Sequence, residues 1–140
     1  MPAWTGDLPP IDRLSPHTSA AIRLAEHSHQ GHHIRPDGTA EFLRRYRNFV
    51  HRPERNLRLV ASEMPCCPGC QYDDIAVVRD ALQEVMRVLP RQARIELRQL
   101  LANLDAEFRR RTLPDPDPEH WTDWSGTPDA WWHRRLYQGG

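Results

Sequence analysis

Proline fixes φ and lacks an N–H, so a helix cannot run through it without losing a hydrogen bond and meeting a ring clash. This chain has 13 prolines in 140 residues. Pro16, Pro36, Pro53, Pro65, Pro90 and the run Pro114, Pro116 and Pro118 cut it into windows, and any helix has to fit inside one.

Within those windows the apolar residues recur at helical spacing. Ser15 followed by Pro16 is a helix start, a hydroxyl cap with proline where its missing N–H costs nothing. That helix carries Ala21, Ile22 and Ala25 and is expected to stop near Gly31. A second starts at about Thr39 and carries Phe42, Leu43, Tyr46, Phe49 and Val50. Residues 54–64, with Leu57, Val60, Ala61 and Met64, are expected to form a third helix. The alternating strand reading places Val60 on the polar side. Asp73 is expected to cap a fourth helix with the stripe Ile75, Val78, Leu82, Val85 and Leu89. Beyond Pro90 a fifth presents Ile95, Leu97, Leu100, Leu101, Leu104 and Phe108.

The expected fold is therefore all-α, with about five helices. The last two form an antiparallel helical hairpin over 73–110, with a Cys-rich knuckle before it and an extended Pro/Trp-rich tail after it. The domain reading is an irregular segment at 1–14, a helical domain at 15–111 and an acidic tail at 112–140.

All 19 basic residues are Arg, matched by 19 Asp and Glu. A GC-rich, bacterial coding bias is the expected reason for the absence of Lys, with selection for bidentate recognition of phosphate or carboxylate as the alternative, and the zero net charge excludes a global pull toward nucleic acid. Locally the balance is uneven. Residues 35–58 contain seven Arg, whereas 112–130 contain Asp115, Asp117, Glu119, Asp123 and Asp129 with no Arg. An acidic tail folded back on a basic body is one consequence. The other is a nucleic-acid surface of Arg44, Arg45, Arg47, Arg52, Arg55 and Arg58, on two helices joined at Pro53 in a helix-turn-helix outline. No apolar run reaches the ~18 residues of a membrane span. Residues 1–7 have neither a basic start nor an apolar stretch, so a cytoplasmic location without membrane contact is expected.

The motif with the most chemical content is Cys66-Cys67-Pro68-Gly69-Cys70. The spacing of Cys67 and Cys70 lets two thiolates reach one tetrahedral metal, and Pro-Gly favours a turn that aims backbone N–H groups at sulfur. The motif resembles a zinc knuckle. A structural zinc takes four ligands, so Cys66 and the histidines His29, His33 and His51 are the candidates to complete the set. Two other chemistries compete: thiol redox at Cys67 and Cys70, and a metal-dependent hydrolase on His27, His29, His32 and His33 with Glu26 as base. Four tryptophans close to the C-terminus, Trp121, Trp124, Trp131 and Trp132, either cover the protein's own core or bind a protein partner. The function expected is a non-enzymatic binding or regulatory module stabilised by zinc. A DNA-binding regulator and an enzyme stand as alternatives.

Overall fold

A computed structural model describes residues 8–139, so the expectations for residues 1–7 and for Gly140 lie outside the described residues. The described chain is mostly helical and contains no named strand. Four α-helices form it: α1 (Pro16–Ser28), α2 (Gly38–Val50), α3 (Ile75–Val88) and α4 (Arg91–Arg111).

Each helix begins where local chemistry satisfies its free N–H groups. Ser15 caps α1, its hydroxyl accepting the Thr18 N–H at 3.2 Å with Pro16 in the first turn. Asp74, one residue beyond the position expected, caps α3 by accepting the Ala76 N–H at 2.9 Å. The start of α2 differs. Asp37 adopts the left-handed conformation with φ 62° and offers no side-chain cap. The cap comes from α1 instead, where both oxygens of buried Glu26 accept the Asp37 and Thr39 N–H groups. In the same way Glu96 of α4 accepts from the Ser15 and Thr18 hydroxyls.

The buried faces follow the helical stripes. Phe42, Leu43, Tyr46, Phe49 and Val50 of α2 meet Ile75, Val78, Leu82 and Val85 of α3 and Leu97, Leu101, Leu104 and Phe108 of α4 in one core. Ile95, placed by its spacing in the α4 stripe, is instead exposed. Leu89 and Pro90, both extended, separate α3 from α4. The most extensive packing of α3 is on α2, and α4 lies against α1 and α2.

The helix expected over 54–64 is not formed, which reduces the count from five to four. The chain there is extended: Leu57 pairs with Thr112 and Leu59 with Tyr137 through isolated bridges. Leu57 and Leu59 are buried while Arg58, Val60 and Met64 face solvent, the alternation of an extended chain. Val60 does point with the polar set. One exposed valine costs little beside two buried leucines and three backbone hydrogen bonds (Leu57 N–H to Arg111 O, Leu59 N–H to Leu136 O, and Gln138 N–H to Leu59 O). With this segment extended, the helix-turn-helix outline has no recognition helix.

The tail returns along this extended segment. Its Asp115 N–H donates to Arg134 O and its Leu136 N–H to Leu113 O, so residues 113–136 make a closed excursion that packs on the helices.

Candidate functional site

The excursion borders an open cavity of about 380 Å³ between the 58–61 segment, the N-terminus of α3 and the tail. Its walls include Arg58, Asp74, Asp115, His120, Asp129, His133 and Tyr137. Three hydrogen-bonded groups build it. Asp74, the α3 cap, also accepts the Tyr137 hydroxyl at 2.9 Å. Burial raises the pKa of Asp74 in spite of those hydrogen bonds, and burial beside Asp74 pushes Tyr137 far above the usual phenol range.

Asp80 of α3 holds the tail from behind, accepting the Trp132 indole N–H at 2.7 Å and lying 2.7 Å from His133 Nε2. Burial alone lowers the pKa of His133, but the hydrogen bond and charge of Asp80 together with the charges of Asp74 and Asp129 outweigh it, and the net shift is upward. Buried Asp115 accepts the Asp117 N–H at 2.9 Å, which lowers its pKa, and faces His120 Nδ1 at 2.7 Å. His120 is raised in turn, chiefly by that hydrogen bond. Two charged side chains on the wall, Arg58 and Asp129, have no hydrogen-bonded or ion-paired side-chain partner among the described residues.

The cysteines lie elsewhere. Cys66 is exposed, and Cys67 and Cys70 are half-buried in the turn that leads into a short 3₁₀ segment, Cys70–Asp73. The Cys70 N–H donates to Cys67 Sγ at 3.4 Å, and the Gly69 N–H also acts on that sulfur. Among the described residues no three His, Cys, Asp or Glu gather as a metal group, so His29, His33 and His51 do not join the cysteine pair in one. His33 Nδ1 lies 2.9 Å from the Tyr72 hydroxyl, His51 Nδ1 lies 2.9 Å from Arg47 O, and His29 is an exposed C-cap of α1. Glu26, considered above as a base, has both oxygens committed to the start of α2.

The arginines of 44–58 are divided. Arg47 is paired with Asp12, and Arg45 with Glu41 and the Tyr72 carbonyl. Arg52 lies over the Phe49 ring at 5.0 Å. Arg45 and Arg52 line a second cavity of about 430 Å³ with Phe49 and Tyr72, where the Arg45 guanidinium is already held by Glu41 and the Tyr72 carbonyl. Arg44, Arg55 and Arg58 are exposed.

The four tryptophans separate in the same way. Trp132 is buried under Arg79, whose guanidinium lies 4.2 Å above its ring. Trp131 packs edge-on against Phe108, and Trp121 donates its indole N–H to Asp115 O. Trp124 is 98% exposed. It sits on a turn held by Asp123, whose Oδ1 accepts the Ser125 and Thr127 N–H groups, with Gly126 at φ 83° where a side chain would be strained.

The tail cavity was not legible as a site in the sequence. Asp74, Asp80, His120, His133 and Tyr137 are scattered over 64 positions (74 to 137) and share no spacing. The one available signal was the density of Trp and Asp after residue 112, which implied docking without naming its receiver. No family model, no curated protein and no solved structure matches this chain.

Proposed function

We propose that the protein is a binding module that holds a small zwitterionic ligand, of the amino-acid or short-peptide class, in the tail cavity. The observation that carries this reading is the pair Arg58 and Asp129, a guanidinium and a carboxylate that line one cavity, neither with a hydrogen-bonded or ion-paired side-chain partner among the described residues. Arg58 suits a ligand carboxylate, which a guanidinium can grip with two N–H groups. Asp129 suits an ammonium, and Ala61 and Leu136 give the cavity an apolar portion. A volume of about 380 Å³ fits the low end of the ~300–1,000 Å³ range of ligand pockets.

Thermal-shift and calorimetric titration with free amino acids, dipeptides and their singly charged analogues tests it. Zwitterions are expected to bind, and both Arg58→Gln and Asp129→Asn to weaken binding by about tenfold or more, as the loss of a charge-assisted hydrogen bond does. Equal response to singly charged analogues, or none to any zwitterion, rejects it.

A protein partner at Trp124 is a second reading, supported by the full exposure of a large aromatic side chain on a hydrogen-bonded turn. Zinc at Cys67 and Cys70 is also proposed, supported by the backbone N–H groups aimed at Cys67 Sγ. Elemental analysis of the protein beside Cys67→Ser and Cys70→Ser tests it. Metal carried equally by all three counts against it.

A further inference from the structure

Three of the tail tryptophans carry an arginine over the ring. From guanidinium carbon to ring centre, Arg79 lies 4.2 Å from Trp132, Arg109 4.0 Å from Trp131 and Arg134 5.1 Å from Trp121. Two of them also have an acceptor for the indole N–H: Asp80 for Trp132 at 2.7 Å and Asp115 O for Trp121 at 3.0 Å. A cation on the ring face and an acceptor on the N–H are the polar contacts that favour an indole out of water. Trp124 has neither among the described residues and is 98% exposed.

The turn that presents Trp124 is already formed. Besides the two bonds to Asp123 Oδ1, the Asp123 N–H donates to Thr127 O at 2.9 Å and the Gly126 N–H to Asp123 O at 3.0 Å. Docking this side chain therefore orders little backbone. The cavity of about 430 Å³ at the C-terminal end of α2 offers the two contacts that Trp124 lacks. Arg52 covers the Phe49 ring with one face of its guanidinium and is itself exposed, so the other face is open to a second ring. Asp73 lines the same cavity, and its exposed carboxylate has no hydrogen-bonded or ion-paired partner among the described residues. Ile75 and Val60, the latter 42% exposed, add apolar surface.

Charge matches the two surfaces. Trp124 lies in the stretch 112–130, which has five carboxylates and no Arg, and Glu119 and Asp123 there are exposed. Arg44 and Arg55, close in sequence to the cavity residues, are exposed and have no ion-paired partner among the described residues. The net charge of the chain is zero, so no net repulsion holds two copies apart.

We propose that Trp124 of one copy of this chain docks in the α2 cavity of a second copy, its ring against Arg52 and its indole N–H on Asp73. This rests on the reading of Trp124 as a partner-binding residue and names that partner. A two-fold arrangement makes the exchange reciprocal and closes it as a dimer, whereas any other rotation that does not close continues it as an open chain.

Sedimentation velocity of the full-length protein from about 1 μM to about 1 mM tests it, a range that covers weak to moderate association. The expected result is a mass that rises above one chain with concentration and falls back with added salt. Trp124→Ala and Arg52→Glu are each expected to weaken association about tenfold or more, as loss of a central aromatic or arginine contact does. Both change exposed side chains, so their melting temperatures are expected to match the parent's when all are measured as single chains. Mixing the two variants pairs an intact cavity with an intact tryptophan, and the mixture is expected to associate more strongly than either variant alone. A parent at single-chain mass throughout, association unchanged in either variant, or a mixture no stronger than its components overturns the proposal. Cross-linking from position 124 in a cell extract separates the two failures. A single-chain parent that joins a foreign protein there overturns self-docking only, and one that joins none overturns the partner reading as well.

Discussion

Glu26 Oε2 accepts the Thr39 backbone N–H at 2.8 Å, while its other oxygen accepts that of Asp37, so the carboxylate near the end of α1 serves as the cap of α2. The side chain is almost wholly buried, at 2% exposure. A buried acceptor with two backbone donors cannot be removed without leaving both donors unsatisfied. Glu26→Ala is accordingly expected to lose about 2 kcal/mol of stability, read as a lower denaturation midpoint with an unchanged slope. A loss within 0.5 kcal/mol, the ~0.5 kcal/mol band of neutral surface changes, contradicts the capping role.

Arg79 of α3 grips Asp105 of α4 with two hydrogen bonds of 3.0 Å, and the Tyr46 hydroxyl of α2 donates to the same carboxylate at 2.6 Å. Three helices meet at one charge, and Trp132 of the tail covers the guanidinium. Asp105→Ala leaves Arg79 buried and unpaired, and the expected cost is about 3–5 kcal/mol. Asp105→Asn, which still accepts a hydrogen bond, is expected to cost less. Urea unfolding of both variants checks the order.

The tryptophans separate core from surface. Trp132→Ala is expected to cost about 3–5 kcal/mol because it empties a buried site under Arg79. Trp124→Ala is expected to stay within about 0.5 kcal/mol of the parent. Thermal melts of the two variants give the contrast directly.

Tail docking carries a pH dependence of known sign. Burial opposes the His133 imidazolium, but Asp80, with the charges of Asp74 and Asp129, outweighs it and raises the pKa above 6.5. A group raised by folding contributes its stabilisation fully below its unfolded value, and that contribution disappears as pH rises through the folded value. Melting temperatures compared from about pH 6 to about pH 8.5 are expected to show this loss in the parent and less of it in His133→Gln. An equal pH slope in both removes His133 as its source.

Leu59 and Val60 report on the segment that the helical spacing misassigned. Leu59 is fully buried and Val60 is 42% exposed. Leu59→Ala is expected to cost about 2–5 kcal/mol, and Val60→Ala far less. A helix over this stretch, with Val60 facing the core, requires the reverse order.

Four of the five expected helices were legible because each lies between prolines and repeats apolar residues at a period set by backbone geometry. Both properties are local. Leu57 to Met64 had too few apolar residues to separate a helix from an extended chain, and Leu57 and Leu59 were decided by partners at Thr112 and Tyr137, far along the sequence. The cysteine turn was legible for the same local reason, since Cys67 and Cys70 are three apart and Pro-Gly sets the bend. The gathering of histidines expected around it does not occur among the described residues, because His29, His33 and His51 engage other neighbours or solvent.

By itself the sequence determined the windows in which four helices form and most of the residues they bury, and it placed four tryptophans in the tail. Only the tertiary structure decided that Glu26 caps a helix, that Trp132 docks while Trp124 does not, and that Arg58, Asp129, His120 and His133 border one cavity. Period and capping are written in neighbouring residues, whereas a cavity is closed by side chains that become neighbours only when the chain has folded.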